Sequence, residues 1–161
     1  MEILKLFKTQ EENNQTLRID PSLTDYKLFA RKHLQIHIEL STLATETQCY
    51  KYWIHDEDED YIDENFLFKK YISCLKQIFS LGLDNGYNYI TDVNVSPNND
   101  GCLSDQFLSL YIDVNDMIIS PSEDHFTTLL EDYLTLGLSL GFDEESISSG
   151  FCRYSNLEIA L

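Results

Sequence analysis

Two stretches of this chain leave few options for its fold. Ile36-His37-Ile38-Glu39-Leu40-Ser41-Thr42-Leu43-Ala44-Thr45-Glu46 runs into Cys49-Tyr50-Lys51-Tyr52-Trp53, and Phe68 to Leu75 continues through Leu81-Gly82-Leu83-Asp84-Asn85-Gly86-Tyr87. Both read as helices that are apolar on most sides, and each carries one thin polar stripe. On the first, Gln35, Glu39, Thr42 and Glu46 fall at i, i+4, i+7 and i+11; on the second, Lys70, Ser73 and Gln77 fall at i, i+3 and i+7. Such spacing puts each set on a single helix face. Helices this apolar need cover on several sides, which points to an all-α bundle.

The rest of the chain reads as further helices. Residues 2–17 form a short amphipathic one with Ile3, Leu6, Phe7 and Gln10 on its inner face. Asp20-Pro21 breaks it. Ser22-Leu23-Thr24-Asp25 has the shape of a capping box, and a helix follows to about Thr47. Phe29, His33, Ile36, Leu40 and Leu43 make its core stripe, with Ile38 and Ala44 beside it. A second long helix over about 63–84 ends at Asn85-Gly86, a left-handed cap. Residues 88–101 connect, turning at Pro97-Asn98-Asn99-Asp100-Gly101. A helix over 103–118 carries Phe107, Leu110, Tyr111 and Val114 inward. Ser120-Pro121-Ser122-Glu123 reads as a start, with Ser120 as N-cap and Pro121 at N1, for a helix to Gly141. Asp143 caps a last helix that reaches the end of the chain. About five or six helices result, in one domain spanning 1–161.

One internal echo organises them. Leu81-Gly82-Leu83-Asp84-Asn85-Gly86-Tyr87 and Leu136-Gly137-Leu138-Ser139-Leu140-Gly141-Phe142 share the form Leu-Gly-Leu-x-x-Gly-aromatic. In each, the first Gly lets another helix approach and the second caps the end. The echo implies two related helical hairpins packed together.

Charge narrows function. The formal net charge is −17, from 28 acids against 11 Lys and Arg. Direct binding to nucleic-acid phosphate needs clustered cations and is disfavoured; an acidic mimic of nucleic acid is the reading this charge leaves open. Asp56-Glu57-Asp58-Glu59-Asp60 lacks the alternate ligands and turn glycine of a calcium loop and reads as solvated surface. His33 and His37 stand at a zinc-compatible i, i+4 spacing but have no third ligand in view. The cysteines at 49, 74, 102 and 152 form no CxxC pair, and no apolar run approaches membrane-spanning length. A cytoplasmic protein with reduced thiols and no membrane contact is expected.

The order Ile-Glu-Leu-x-x-Leu-Ala-x-Glu-x-x-Cys-aromatic-Lys-aromatic-Trp, followed by Tyr-Ile-x-Cys-Leu-x-x-x-x-Ser-Leu-Gly-Leu-x-x-Gly-Tyr, resembles the dimeric all-α dUTPases of the MazG-like nucleotide pyrophosphatase superfamily. The likeness is clearest over 29–87. It implies a helical homodimer that hydrolyses dUTP, often dUDP too, to dUMP with Mg²⁺. The family's metal site is a Glu-x-x-Glu on one helix and a Glu-x-x-Asp on the next. Carboxylates at these positions hold hard cations, which bridge the phosphates and acidify the attacking water.

This chain departs from that pattern at the metal site. Glu39 matches the first glutamate, but Thr42, Lys70 and Ser73 stand where the other three carboxylates belong. An ammonium at a ligand position repels a divalent cation. Glu39 is the one remaining metal candidate, no catalytic residue and no cofactor are expected, and a Lys70–Glu39 contact is expected to fill the former Mg²⁺ site. Glu46, Tyr50, Lys51, Tyr52, Trp53 and Tyr154 are positions for a nucleotide pocket, although the family's Lys-Asn and following Asn read here as Tyr154-Ser155 and Glu158. The leading function is a noncatalytic homologue that binds a nucleotide or a protein partner. The alternatives are an active dUTP diphosphatase with Mg²⁺ held by rearranged acids (Glu39, Glu46 and the 56–64 run), and the nucleic-acid mimic.

Overall fold

A computed structural model describes residues 1–54, 61–98 and 101–154. Six α-helices account for most of them, with no strand among the described residues: α1 (Ile3–Gln15), α2 (Asp25–Thr47), α3 (Glu64–Asp84), α4 (Leu103–Ile119), α5 (Glu123–Ser139) and α6 (Glu144–Arg153). The acidic run 56–60 and residues 155–161, including Ser155 and Glu158, lie outside the described residues.

Helix starts follow side-chain capping. Thr24, Asp63, Ser122 and Asp143 each accept a hydrogen bond from the backbone N–H three residues on, at 3.2, 3.1, 3.1 and 2.7 Å. Two expected caps are displaced by two residues each. Ser22 bonds Asp20 Oδ1 through both its N–H and its hydroxyl, so Thr24 caps α2 in its place. Ser120 closes α4 instead, its N–H donating to the Asp116 carbonyl at 2.8 Å, and Ser122 starts α5. The last helix stops at Arg153, where Tyr154 turns extended, rather than reaching the end of the chain.

The helices form two antiparallel hairpins, α2 on α3 and α4 on α5, joined where α2 meets α4 and α3 meets α5. α1 lies across α3 and α6. The repeated motif ends α3 and α5 identically. Gly86 (φ 77°) and Gly141 (φ 91°) take the left-handed conformation. Tyr87 N–H donates to Gly82 O and Phe142 N–H to Gly137 O, each at 2.9 Å. The inner glycine of each hairpin receives an aromatic ring of the other: a Cβ on Gly82 would collide with Phe126 and Phe7, and one on Gly137 with Tyr71. Phe126 stands to Gly137 in sequence as Tyr71 stands to Gly82, so the α3–α5 contact is internally two-fold.

The same relation extends to α2 and α4. Buried His33, Ile36, Leu40 and Leu43 correspond to buried Phe107, Leu110, Val114 and Met117. His37 and Tyr111, the matching positions between them, stack on one another with ring centres 5.6 Å apart and planes 8° apart. Outside this seam, Leu34 and Ile38 on α2 and Leu108 and Ile112 on α4 are 56–64% exposed. Ile38 therefore belongs to the outer surface, not to the core flank expected from its spacing. The interior is continuous, with Tyr71, Phe79, Phe126, Tyr133 and Phe151 fully enclosed.

Candidate functional site

Glu39 sits midway along α2, on the side that faces α3. Its Oε1 accepts the Ser73 hydroxyl at 2.9 Å, and its Oε2 is enclosed with no partner among the described residues. Below it are the Cys74 thiol and the Tyr133 phenol, both fully buried. Burial pushes both groups upward, and the nearby Glu39 charge adds to the rise in each. The floor of the site is thus neutral and closed.

Of the four positions that the dUTPase pattern assigns to metal, two meet. Glu39 and Ser73 touch. Thr42 turns its hydroxyl back to the Ile38 carbonyl of its own helix, at 3.0 Å. Lys70 does not reach Glu39: its Nζ lies over the Phe66 ring, 5.6 Å from the centre, one turn earlier on α3. The expected Lys70–Glu39 contact is therefore corrected. Lys70 leaves the cleft along its own helix because Phe66 offers an aromatic face there, and the small Ser73 satisfies Glu39 instead. One carboxylate and one hydroxyl do not fit a pair of Mg²⁺ ions, which need several oxygen anions to offset their charge. Among the described residues no three His, Cys, Asp or Glu side chains are gathered so as to hold a metal.

The positions expected to line a nucleotide pocket are divided. Tyr50, Tyr52 and Trp53 form an exposed aromatic cluster after α2, with Tyr52 and Trp53 edge-to-face at 5.3 Å and Tyr50 and Trp53 at 6.3 Å. Lys51 is half-buried beside them, and Glu46 lies on the last turns of α2, also half-buried. Tyr154 instead packs on Phe68, which also holds Phe142, so it serves the core edge. His33 and His37 are likewise structural. His33 Nδ1 is 2.9 Å from the Phe29 carbonyl, and burial lowers its pKa, while His37 stacks on Tyr111.

Reading from spacing alone missed three groups. Cys74 and Tyr133 look like ordinary core residues in sequence, and only the crossing of α3 and α5 places them under Glu39. Asp113 on α4 is buried and faces Asp132 on α5. Its signal was available: it precedes Val114 as Glu39 precedes Leu40, so the hairpin echo, extended to α2 and α4, points at it.

The described residues form an α-helical double hairpin with an acid facing the next helix in each half. A family model described as dUTPase matches residues 2–158, and the chain belongs to that family. No curated protein and no solved structure gives a match. No helix among the described residues is long and apolar enough to cross a membrane.

Proposed function

We propose that this chain is a noncatalytic member of the dUTPase family, which keeps the fold and has lost Mg²⁺-dependent hydrolysis of dUTP and dUDP. One observation carries the reading: the single retained acid, Glu39, is held by Ser73 in a closed, neutral pocket while Lys70 stands one turn away. A divalent cation bound there would have one carboxylate to compensate it. The exposed Tyr50, Tyr52 and Trp53, with Lys51 and Glu46 nearby, supply ring faces and a cation suited to holding a nucleotide without cleaving it.

The deciding experiment incubates the protein with dUTP, dUDP and dCTP in Mg²⁺ or Mn²⁺ and measures released phosphate and pyrophosphate. No release is expected. Turnover that Glu39→Gln abolishes would instead support an active diphosphatase with a rearranged site. Thermal-shift measurements with the same nucleotides separate a nucleotide binder from a partner-binding scaffold.

The family is typically dimeric, and we place the homodimer contact on the outer α2–α4 face. In support, Leu34, Ile38, Leu108 and Ile112 form an uncharged patch on a strongly acidic chain. Four free cysteines among the described residues favour a reducing, cytoplasmic setting.

A further inference from the structure

His33 serves the fold through one of its two ring nitrogens. Its Nδ1 lies 2.9 Å from the Phe29 carbonyl, which can only accept, so Nδ1 carries the ring hydrogen. Nε2 is then a bare acceptor. It is enclosed, with no hydrogen-bond partner among the described residues, in a side chain 3% exposed. Burial also lowers the pKa of the ring and keeps it neutral. A buried acceptor left without a donor is costly to a fold, and it marks a place where a donor from outside would be held.

His33 lines a cavity of about 340 Å³ between the start of α2 and the end of α3, at the opposite end of α2 from Tyr50 and Trp53. That volume lies within the range of small-molecule sites. Leu28, Leu81 and the Phe29 ring form its apolar wall, and the Phe29 and His33 ring centres are 4.1 Å apart. Asp25, the first residue of α2, and Asp84, the last of α3, bring two carboxylates to this cavity against one ammonium, that of Lys32. Lys32 Nζ meets Asp84 at 2.6 Å, so the chain already lays an alkylammonium of its own against the site. Both partners are partly exposed, and such a pair is held weakly in water and readily exchanged. Acceptors exceed donors here and negative charge exceeds positive, in a chain of net charge −17. Both favour a cation that donates hydrogen bonds, and the apolar wall favours one with an aliphatic stem. Among the described residues no three metal-ligating side chains are gathered, so the cation is organic.

We propose that this cavity binds a short aliphatic diamine in its protonated form, whose ammonium groups donate to His33 Nε2, Asp84 and Asp25 while its stem lies on Leu28, Leu81 and the Phe29 ring. The ligand takes the place of Lys32 at Asp84. Release of Lys32, the one long flexible side chain on the cavity wall, opens the route to the enclosed Nε2. This inference is independent of whether the Glu39 site has lost its chemistry and of whether Tyr50, Tyr52 and Trp53 hold a nucleotide.

The test titrates cadaverine and putrescine into the whole chain at physiological salt, read by calorimetry and thermal shift, with pentanoate as the anionic control. Saturable binding at one site per chain is expected for the diamines and none for pentanoate. Asp84→Asn is expected to weaken binding about tenfold, and His33→Leu, which keeps an apolar filling and removes the acceptor, at least as much. Lys32→Met removes the chain's own ammonium and is expected to tighten binding several-fold. Circular dichroism checks the helix content of each variant. His33→Leu alters a buried position, so Asp84→Asn and Lys32→Met at the exposed rim carry the test should it fail to fold. No saturable diamine binding, binding unchanged in Asp84→Asn or in a folded His33→Leu protein, or weaker binding in Lys32→Met overturns the proposal. So does binding that salt abolishes alike in every variant, which assigns the diamine to the acidic surface.

Discussion

Tyr71 and Tyr133 each donate a phenol hydroxyl to the other's backbone carbonyl. Tyr133 OH reaches Tyr71 O at 2.9 Å and Tyr71 OH reaches Tyr133 O at 3.3 Å, with the rings stacked 4.8 Å apart and 8° from parallel. Both residues are fully buried. The pair is the central bolt between α3 and α5, and it locks the crossing that brings Tyr133 beneath Glu39. Tyr133→Phe keeps the ring and removes the shorter bond, so it is expected to lower unfolding free energy by about 1–2 kcal/mol. Urea denaturation followed by circular dichroism measures this. Tyr71→Phe, losing the longer bond, is expected to cost less, and the reverse order would contradict the assignment.

The two inner glycines of the repeated motif are close-approach positions, and the two capping glycines are not. A methyl group on Gly137 meets the Tyr71 ring and one on Gly82 meets Phe126, whereas nothing lies near Gly86 or Gly141. Gly137→Ala and Gly82→Ala are expected to destabilise by about 1–3 kcal/mol through overpacking. Gly86→Ala is expected to cost about 1 kcal/mol, through its positive φ alone. The same denaturation series reads all three.

Lys76 is 1% exposed, its Nζ has no hydrogen-bond partner among the described residues, and it lies 4.5 Å above the Phe151 ring. Burial lowers its pKa from 10.5 to about 8. Between these values the unfolded chain holds a proton that the folded chain has released, so stability rises as pH climbs from about 8 toward 10.5. Below that window the folded protein carries an enclosed charge. Lys76→Met is expected to stabilise at neutral pH by on the order of 2 kcal/mol, net of the lost ring contact, and to flatten the alkaline rise. Melting curves across the window decide it; a Lys76→Met protein less stable at neutral pH would show that the Phe151 contact outweighs the burial cost.

If the missing carboxylates account for lost metal binding at Glu39, restoring them is expected to restore it. The triple variant Thr42→Glu, Lys70→Glu, Ser73→Asp is expected to gain Mg²⁺-dependent thermal stabilisation beyond that of the parent. Calorimetric titration of Mg²⁺ into both proteins measures the difference. An unchanged triple variant would mean that the Cys74–Tyr133 floor, rather than the ligand set, closes the site.

The outer α2–α4 patch gives a test of assembly. Ile38→Asp with Ile112→Asp is expected to convert a homodimer into monomer in sedimentation velocity, with the helix content unchanged. Both side chains are more than half exposed, so the monomer fold does not depend on them.

Much of this protein is written locally. Periodicity placed the first four helices and capping signals the last two, because an apolar stripe at helical spacing has only one way to be buried and a helix start needs its orphan N–H groups satisfied. The Leu-Gly-Leu-x-x-Gly-aromatic echo announced two hairpins, because a left-handed cap needs its glycine wherever it occurs. Ser22 and Ser120 show the limit: each has a cap's sequence, but a nearer acceptor or the end of the preceding helix takes its bonds. The site was legible as composition and not as contact. The sequence determined which residues stand at the four positions that the resemblance assigns to metal, Glu39, Thr42, Lys70 and Ser73, of which Glu39 alone is an acid. Only the tertiary structure decided that Ser73 rather than Lys70 answers Glu39, because a lysine's long stem can follow its own helix to an aromatic face while a serine cannot leave the interface. The tertiary structure also turned Asp113 and Asp132 toward each other. Two acids far apart in sequence acquire a shared chemistry when helix packing removes the water between them.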